Sequence, residues 1–447
     1  MDYNTALTKL KSIGQKHLLD YWPQLANDEK NSLLQQIEDL DVDIFFEQQA
    51  ILKDTSSHTA ASIEPFLDFH PVGKASDIKL GKEFIAQGRM GCLIVAGGQG
   101  TRLHLNGPKG LYPITNIRKK NLFQLFSEKV LAAGKQVQRP LNVAVMTSPL
   151  NHSVTTAYFD AHYLFDLKQN QLDFFMQSML PILDDSGNLF LQKRDLIAQG
   201  PDGNGSALYN FWVQGLLSKW KKLGIECLNF IMIDNPLADP FDAELLGFHI
   251  RNKNDITIKC TPKKDADEKV GTLVKQEGKV QVIEYTEMPE KERQAKAPDG
   301  SLQHAFANIS LFCISVSFIE KICSQRTALP LHKAYKAVPS LENPNKMAWK
   351  FEHFIFDILP LADKVQALSY PREVCFAPLK NLSGADSPAT VQEALQFRDQ
   401  QVYEEIFNRP APAAPFELSQ DFYYPNLSYI ELWKDKSLSN DRYLGGV

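Results

Sequence analysis

A glycine-rich stretch followed by two basic residues is the sharpest chemical pattern in the sequence. Residues 94–110 have the sequence IVAGGQGTRLHLNGPKG. Gly97, Gly98 and Gly100 can take positive φ and let the backbone approach a ligand, so that successive N–H groups point at phosphate oxygens. Arg102 and Lys109 would add positive charge there. The glycines alone would fit a turn without a ligand equally well, but the two cations favour a phosphate-binding loop.

Two other kinds of glycine loop fit poorly. A dinucleotide-binding GxGxxG motif needs glycine at position 103, where Leu103 stands, and no ribose-binding acid is evident about 20 residues later. A Walker A loop needs GxxxxGK followed by Ser or Thr, and no such string occurs. These departures argue against a dehydrogenase and against a P-loop NTPase.

Asp234 closes the apolar run FIMID. A carboxylate at the carboxyl end of a parallel strand lies where α/β sheets bind ligands. The alternative is a helix N-cap, because Asp234 and Asn235 precede Pro236 and a helix is expected beyond it. We favour the ligand-binding interpretation over the cap.

The elements that must position these residues follow from the apolar spacing. Residues 3–53 show helical periodicity, which predicts a helical N-terminal region. From Met90 onwards, strand-length runs such as CLIVAG, LNVAVMTS, CLNFIMID and DITIKC alternate with helical stretches, which indicates a largely parallel sheet covered by helices on both faces. Residues 271–285 predict a hairpin that turns at Gln276-Glu277-Gly278-Lys279.

The domain prediction follows the same pattern. We expect a helical N-terminal region over residues 1–80 and an α/β catalytic domain over 81–380. A small C-terminal domain over 381–447 would contain the aromatic run FYYPNLSYIELW.

The amino-acid composition limits the kinds of binding partner and the cellular location that we expect. The formal net charge is -5, which gives no electrostatic reason to expect a nucleic-acid or membrane partner. No apolar run reaches about 18 residues, and the first residues lack the pattern of a signal peptide. The six cysteines form no CxxC pair and lie mostly in apolar runs, which is typical of buried thiols in a reducing compartment. We therefore expect a cytoplasmic protein.

The motifs, taken in order, resemble those of the eukaryotic-type UDP-sugar pyrophosphorylases. GGQGTRL with PKG is similar to the family's GGxGTRLxxxxPK signature, and the resemblance covers residues from about 80 to 395. It continues through MTS, FFMQSMLP, PDGNG, Asp234-Asn235, VGTLV, VIEYTE, FANIS, FIFD and FAPLKN. The resemblance implies a Rossmann-like, mixed and mostly parallel sheet of the GT-A nucleotidyltransferase type.

The middle motifs favour one branch of that family. MLP and PDGNG are similar to the UDP-N-acetylhexosamine pyrophosphorylases, whereas UDP-glucose pyrophosphorylases usually carry a GHGD-type string at PDGNG. The resemblance implies an Mg²⁺-dependent enzyme in which N-acetylglucosamine 1-phosphate attacks the α-phosphate of UTP, yielding UDP-N-acetylglucosamine and pyrophosphate. Two alternatives stay open: a UDP-glucose or broad UDP-sugar pyrophosphorylase, and a catalytically silent nucleotide-binding scaffold.

The resemblance also implies a role for each matching residue. The phosphate-contacting cations would be Arg102, Lys109 and Lys380, and Asp234 would hold Mg²⁺. The nucleotide would contact Ala96, Gly97, Gly98, Gln177 and Gly203. The sugar would contact Asn204, Gly271, Glu284, Asn308, Phe354 and Phe356.

Some of these sugar-site roles have physical support and simple alternatives. The amide of Asn204 can both donate and accept hydrogen bonds to an acetamido group, although Asn in a Gly-Asn-Gly loop is also a common turn residue. Glu284 and Glu287, placed on a hairpin arm, would face opposite sides, with Glu284 inward. Phe354 and Phe356 would share one face of a strand and form an apolar wall, although aromatic pairs are more often core.

The sequence departs from the family pattern in two places. Leu311-Phe312 stand where relatives often have histidine, so the sugar contacts need not be identical. Only Asn235-Pro236-Leu237 separates Asp234 from Ala238-Asp239-Pro240, whereas hexosamine-branch members tend to have a longer stretch there. The loop near the expected metal can therefore differ.

Overall fold

The computed structural model describes residues 1–54, 62–325, 329–424, 431–433, 436–438 and 440–446. The chain forms two compact units, each built from three chain segments. Unit 1 contains residues 1–60, 177–206 and 328–355, and unit 2 contains 61–176, 207–327 and 356–447. These units divide the chain differently from the predicted boundaries at 80/81 and 380/381, which stay a prediction. Part of the predicted aromatic C-terminal run, 425–430, lies outside the described residues.

The strands and helices have the following bounds. The strands are β1 (Ile63–Pro65), β2 (Phe69–His70), β3 (Met90–Val95), β4 (Val143–Thr147), β5 (Leu172–Met176), β6 (Met179–Pro181), β7 (Leu191–Lys193), β8 (Leu196–Ile197), β9 (Gln199–Pro201), β10 (Cys227–Met232), β11 (Ile256–Pro262), β12 (Thr272–Gln276), β13 (Lys279–Ile283), β14 (Phe306–Ser315), β15 (His332–Val338), β16 (Lys346–Glu352), β17 (Val365–Ser369), β18 (Glu417–Leu418) and β19 (Tyr443–Leu444). The α-helices are α1 (Tyr3–Ser12), α2 (Asn27–Asp39), α3 (Val42–Lys53), α4 (Ala75–Ala86), α5 (Leu122–Val137), α6 (His152–Ala161), α7 (Ala207–Val213), α8 (Leu216–Lys222), α9 (Ala243–Asn252), α10 (Glu290–Gln294), α11 (Val316–Ser324), α12 (Arg372–Cys375) and α13 (Pro388–Phe407). Short 3₁₀ helices cover Lys16–Leu19, Trp22–Gln24, Thr101–Leu103, Lys109–Leu111, Tyr163–Asp166, Ile355–Leu361 and Gln420–Tyr423.

Unit 2 is organised around one mixed sheet with the strand order β2-β17-β11-β14-β10-β3-β4-β5. Neighbours along this path are parallel except where β14 pairs antiparallel with β10 and β11. Strands β3 and β4 are buried at every position, as expected for parallel strands covered on both faces. The predicted mostly parallel α/β sheet is therefore confirmed.

The predicted hairpin is also confirmed. Strands β12 and β13 pair antiparallel, and the turn residues Glu277 and Gly278 have φ of 52° and 75°. Positive φ at both central residues is the signature of the type I′ turn, which matches the twist of the flanking strands. This hairpin is attached to the main sheet through the pairing of β12 with β14.

Unit 1 confirms the helical N-terminal region and shows that its helices pack against strands from later in the chain. Helices α1 to α3 share one apolar core with residues of β6, β7, β8 and β16, including Leu180, Leu191, Ile197 and Phe351. The fully buried Gln48 in α3 donates its amide to the backbone oxygen of Pro181 at 3.0 Å. The N-terminal helices are thus part of a compact unit, because their apolar face is covered by strands far along the chain.

Among the described residues, no helix combines the length and the apolar character needed to cross a membrane.

Candidate functional site

The glycine-rich loop leaves the sheet at the carboxyl end of β3. The Ala96 N–H still donates to Met146 O of β4 at 2.8 Å, and Lys109 N–H returns to Gly98 O at 3.1 Å. The loop is therefore closed at its base, and Lys109 is brought back beside the glycines. Arg102 is exposed on the 3₁₀ turn that the loop carries.

The predicted positive φ at Gly97, Gly98 and Gly100 is wrong. Gly100 has φ of −85°, and the loop's positive φ values lie at His104 (53°) and Gly107 (142°). The chain reverses after the 3₁₀ turn Thr101–Leu103, and the positive φ values therefore lie beyond the three glycines. Gly100 is required for close packing instead, because a Cβ there would lie 2.7 Å from Leu105 Cβ.

A buried asparagine that the sequence analysis did not single out holds this loop in place. Asn151 is fully buried, and its Nδ2 donates to Ala96 O at 3.1 Å. Its Oδ1 accepts from Ser148 N–H at 2.8 Å, just beyond β4. The amide therefore joins the ends of two adjacent parallel strands.

Asp234 lies two residues beyond the end of β10, whose Met232 is paired with Val95 of β3. Its carboxylate Oδ2 is 3.2 Å from Lys109 Nζ, and both side chains are more than four-fifths buried. The two residues are 125 positions apart in sequence and meet because β3 and β10 end at the same edge of the sheet.

The alternative role of Asp234 as a helix N-cap is wrong. The next α-helix, α9, begins at Ala243, and its N-cap is Asp242, which accepts a hydrogen bond from Leu245 N–H. The chain needs the intervening residues to cross the sheet edge before a helix can begin. The carboxylate of Asp234 is consequently available for a role other than capping.

A second buried asparagine fastens the Asp234 loop to the segment that carries Lys380. Asn235 is 1% exposed; its Nδ2 donates to Cys375 O at 2.8 Å and its Oδ1 accepts from Ala377 N–H at 3.1 Å. The backbone O of Asp234 accepts from Leu379 N–H at 2.7 Å. Lys380 therefore follows a residue that is hydrogen-bonded to Asp234 itself.

The rest of the short loop after Asp234 is held by a buried lysine. Lys129 Nζ donates to Pro236 O at 2.6 Å and to Ala238 O at 2.8 Å. Burial lowers the pKa of Lys129 to about 8. Asn235 holds the beginning of this loop, and Lys129 holds the residues that follow it.

We expect Asn235→Ala to destabilise the protein and to lower activity. The substitution leaves the buried Cys375 carbonyl and the Ala377 N–H without their partner, and each unsatisfied buried group costs about 1–3 kcal/mol. The free energy of unfolding, measured in urea, should fall by about 2–4 kcal/mol. Asn252→Ala is the matched control, because that amide donates to Phe248 O within its own helix and so joins no distant segments. Equal stability losses in both variants would contradict this role of Asn235.

Three of the predicted sugar-site residues meet in unit 2. Asn308 N–H donates to Gly271 O at 2.8 Å, and a Cβ at Gly271 would lie 3.1 Å from Glu284 Oε1. Phe312 of β14 pairs with Phe230 of β10, so Asn308 lies toward the end of β10 that leads to Asp234. These residues therefore belong to the same edge of the sheet.

The strand geometry around Asn308 is irregular. The pairing of β11 with β14 shifts register between Lys259 and Cys260, and Ser310 has φ of 54°. The Asn308 Oδ1 accepts from Ser310 N–H at 3.1 Å. A bulge of this kind redirects the side chains beside it.

The prediction that Glu284 and Glu287 lie on a hairpin arm is wrong. Strand β13 ends at Ile283, and Glu287 N–H donates to Glu284 O at 2.9 Å in a turn. Strand alternation therefore does not determine which way Glu284 faces. Its position against Gly271 comes from the turn.

Unit 1 contains four more of the predicted residues, namely Gln177, Gly203, Asn204 and Phe354. Gly203 has φ of 93°, and a Cβ there would lie 2.4 Å from His353 O. The Asn204 Oδ1 accepts from Ile355 N–H at 2.9 Å, so one of its oxygen lone pairs is engaged by backbone. Gln177 is 5% exposed and precedes β6.

An Asp–His pair in this segment escaped the sequence analysis. Asp202 Oδ1 is hydrogen-bonded to His353 Nδ1, and Asp202 Oδ2 accepts from Ser178 Oγ at 2.8 Å. His353 N–H also donates to Asp202 O at 2.7 Å. The pair fixes the PDGNG segment to the residues just before Phe354. Its two members are 151 residues apart in sequence, so no short motif could reveal it.

The predicted strand carrying Phe354 and Phe356 is wrong. Residues Ile355–Leu361 form a 3₁₀ helix, in which residues two apart point in different directions. Phe354 is half-buried, with its ring 4.6 Å from that of His332, and Phe356 is 5% exposed. The two rings also fall in different compact units, because the chain passes from one unit to the other after Ile355.

The Asp234 carboxylate fits an Mg²⁺ ion. Mg²⁺ takes oxygen ligands and is usually bound through one or two carboxylates together with substrate phosphates. Asp234 Oδ2 already contacts one cation, the ammonium of Lys109. A carboxylate that attracts an ammonium in a partly buried position can also attract a divalent cation, with phosphates completing its shell.

In chemical terms, unit 2 joins a glycine loop, an acid and cations at one sheet edge. Lys380 Nζ is 3.9 Å from Asp386 Oδ2, and more than a third of its side chain is exposed. Catalysis of phosphoryl transfer depends mainly on positioning and on stabilising charge, and groups of these types are suited to both.

Comparison with known proteins supports a nucleotidyltransferase. Residues 48–402 match the family described as UTP–glucose-1-phosphate uridylyltransferase. A UDP-N-acetylglucosamine pyrophosphorylase of Saccharomyces cerevisiae is 31% identical over 418 residues, covering 84% of this chain and 86% of the relative. UDP-N-acetylglucosamine diphosphorylase 2 of Arabidopsis thaliana is 29% identical over 420 residues, covering 87% and 82%.

The fold is shared with a solved structure. The crystal structure of the uridine diphosphate N-acetylglucosamine pyrophosphorylase from Trypanosoma brucei, in complex with inhibitor, superposes with a TM-score of 0.83 at 24% identity. The match covers 99% of this chain and 98% of that one. At this identity the likeness shows the fold alone.

Proposed function

This chain belongs to the UTP–glucose-1-phosphate uridylyltransferase family, and we propose that it transfers uridylyl from UTP to N-acetylglucosamine 1-phosphate, releasing pyrophosphate. As a member of that family it is a UTP:sugar-1-phosphate uridylyltransferase. Relatives about 30% identical over most of the chain are named UDP-N-acetylglucosamine pyrophosphorylases, which supports that choice of sugar.

The observation that carries the reaction class is the Lys109–Asp234 pair at the sheet edge. Its Nζ–Oδ2 distance is 3.2 Å, directly beside the glycine loop. A cation and an acid held together there, where a parallel sheet binds its ligand, suit a triphosphate with its metal ion. A silent scaffold would have no physical need to keep this partly buried pair.

We assign the protein groups as follows. The loop N–H groups near Gly97 and Gly98 and the cations Arg102 and Lys109 bind the triphosphate and stabilise the charge on the departing pyrophosphate. Lys380 is assigned to the phosphate group of the attacking sugar 1-phosphate. Bound at Asp234, Mg²⁺ would neutralise phosphate charge as a Lewis acid. The sugar phosphate oxygen forms the new bond to the α-phosphorus as the bond to pyrophosphate breaks, and no covalent enzyme intermediate is needed.

For the nucleotide and the sugar, the proposal extends to unit 1. Gln177 and Gly203 are assigned to the uridine, because an amide can pair with the donor and acceptor edge of uracil. Asn204 is assigned to the acetamido group. Its Oδ1 already accepts from Ile355 N–H, and this contact fixes the amide before substrate binds. The half-buried Phe354 and the buried Phe356 each stay predicted sugar-site residues.

The proposal also covers the sugar-binding residues of unit 2 and the cellular location of the protein. Asn308, Gly271 and Glu284 lie against one another, which supports a shared role in binding sugar hydroxyls. We also place the protein in the cytoplasm. All six cysteines are free and buried, as in a protein that keeps its thiols reduced.

The test of the sugar is pyrophosphate release from UTP and Mg²⁺ with each sugar phosphate in turn. We expect kcat/KM with N-acetylglucosamine 1-phosphate to exceed that with glucose 1-phosphate by about 10²-fold or more, because unpaired polar groups in the site penalise the sugar that lacks the acetamido group. A no-sugar control measures UTP hydrolysis.

The other outcomes separate the alternatives. A preference for glucose 1-phosphate would keep the reaction and overturn the sugar. Comparable rates with both would support the broad UDP-sugar pyrophosphorylase. No release with any sugar phosphate would favour the silent scaffold.

A further inference from the structure

Asp202 joins three segments of unit 1, which we name after their strands: the β6 segment (177–181), the β9 segment (199–205) and the β16 segment (346–355). Strands β6 and β9 pair antiparallel, and the pairing continues beyond them, because Asp202 N–H donates to Ser178 O at 3.0 Å. Asp202 O accepts from His353 N–H at 2.7 Å, just after the end of β16. The backbone of Asp202 is therefore bonded to both of the other segments.

The side chain of Asp202 repeats both connections. Its Oδ2 accepts from Ser178 Oγ at 2.8 Å, and its Oδ1 accepts from His353 Nδ1. A carboxylate can only accept, so Nδ1 of the imidazole carries the proton in this contact. The Asp202 side chain is 6% exposed. Burying a charged group costs free energy unless it is hydrogen-bonded, and here each carboxylate oxygen has a partner.

Each of the three segments carries a residue that is assigned to substrate. Gln177, assigned to the uridine, lies in the β6 segment. Asn204, assigned to the acetamido group, lies in the β9 segment, and Phe354, a predicted sugar-site residue, lies in the β16 segment. The Asp202 carboxylate therefore connects one segment assigned to the nucleotide with two that carry residues assigned to the sugar.

The contact with His353 affects the sugar-binding residues. Asn204 Oδ1 accepts from Ile355 N–H at 2.9 Å, so the direction of its amide depends on the position of the β16 segment. The imidazole of His353 holds that segment against Asp202. The two segments are also tightly packed, because a Cβ at Gly205 would lie 2.7 Å from His353 Cβ. A shift of the β16 segment would therefore move the Asn204 amide.

The contact with Ser178 affects the uridine-binding residue. Ser178 directly follows Gln177, and its hydroxyl donates to Asp202 Oδ2. This contact fixes the start of the β6 segment, where the buried amide of Gln177 must meet the uracil edge. Removing the hydroxyl would weaken the hold on Gln177 and leave the contact with His353 in place.

We propose that Asp202 is a positioning residue that couples the nucleotide-binding and sugar-binding parts of the site. One carboxylate oxygen, through Ser178, holds the β6 segment, and the other, through His353, holds the β16 segment. Binding groups must be held to within about 0.5 Å to be effective, and residues behind them provide that precision. The inference rests on the proposed function, because it depends on the roles assigned to Gln177 and Asn204.

The test measures KM for UTP and KM for N-acetylglucosamine 1-phosphate separately, each at a saturating concentration of the other substrate. We expect Ser178→Ala to raise KM for UTP about tenfold and to leave KM for the sugar phosphate within about threefold. His353→Ala should do the reverse, and Asp202→Ala should raise both. None of the three variants removes a phosphate-binding group, so kcat per folded enzyme should stay within about threefold.

A conservative variant and a matched control separate positioning from a general loss of stability. His353→Asn places Nδ2 near the position of Nδ1 and should restore most of the affinity for the sugar phosphate. His17→Ala is the control, because His17 Nε2 also joins distant segments of unit 1 by donating to Leu189 O at 2.7 Å, and neither residue is assigned to substrate. Both KM values should stay within about twofold in this control.

Wild-type kinetics distinguish failure of this inference from failure of the proposed function. A wild-type protein that does not transfer uridylyl to N-acetylglucosamine 1-phosphate would overturn the proposed function, on which the inference rests. With an active wild type, equal rises of both KM values in Ser178→Ala and in His353→Ala, or no rise in either variant, would overturn the inference alone. These two variants decide the question even if Asp202→Ala does not fold, because each leaves the carboxylate with one of its partners.

Discussion

We expect Asp234→Ala to reduce Mg²⁺-dependent uridylyl transfer by about 10³-fold or more and to leave the fold intact. Loss of the carboxylate removes the proposed metal ligand, and a metal ion contributes several kcal/mol of charge stabilisation, at about 1.4 kcal/mol per tenfold in rate. The backbone O of Asp234, which accepts from Leu379 N–H, is unaffected by the substitution. Steady-state rates at a series of Mg²⁺ concentrations measure the effect, and circular dichroism checks the fold.

The matched control for this substitution is Asp363→Ala. Asp363 also pairs with a lysine, Lys321, at 3.1 Å, but that pair is largely exposed. Its removal should leave the rate within about twofold, as for other surface ion pairs. Near wild-type activity in Asp234→Ala, at any Mg²⁺ concentration, would disprove the metal assignment.

Lys109→Ala should lower kcat by about 10²–10³-fold without weakening the dependence on Mg²⁺. The ammonium is assigned to the triphosphate, and removing one donor aimed at developing charge typically costs that much. In the free protein the same ammonium contacts Asp234 Oδ2, so it competes with a metal ion for this oxygen. The concentration of Mg²⁺ at half-maximal rate should therefore stay the same or fall.

The two variants are distinguished by that Mg²⁺ dependence. Asp234→Ala should raise the half-maximal Mg²⁺ concentration, and Lys109→Ala should not. If Lys109→Ala raised it by a similar factor, Lys109 would act by positioning Asp234 and not by contacting phosphate. Lys321→Ala, from the exposed ion pair, provides the control for loss of a lysine charge.

The main features of the fold were predictable because they depend on local patterns. The apolar run Met90–Val95 became a fully buried strand, and Gly278 took the positive φ that a two-residue hairpin turn requires. The family motifs also led to Lys109 and Asp234, which the fold brings to within 3.2 Å.

What sequence did not reveal depends on contacts between distant segments. Asn151 and Asn235 hold the two site loops through amides directed at backbone groups up to 142 residues away. Their function follows from burial, which a single asparagine does not signal. The pairing of Asp202 with His353 escaped notice for the same reason.

Local geometry was wrong where a short irregular element replaced an expected regular one. Glu284 follows the end of β13 in a turn, and Phe356 lies in a 3₁₀ helix that begins where the chain leaves unit 1. VIEYTE and FIFD are rich in the β-branched and aromatic residues that are common in strands. Residue types of this kind do not show at which residue the pairing with a neighbouring strand ends.

The most direct test of the central claim is a ³¹P NMR time course of the enzyme with UTP, Mg²⁺ and N-acetylglucosamine 1-phosphate. The proposed function predicts that the signals of UTP and of the sugar phosphate fall together, while those of UDP-N-acetylglucosamine and pyrophosphate rise in equal amounts. Unchanged UTP, or inorganic phosphate formed while the sugar phosphate stays constant, would contradict uridylyl transfer by this protein.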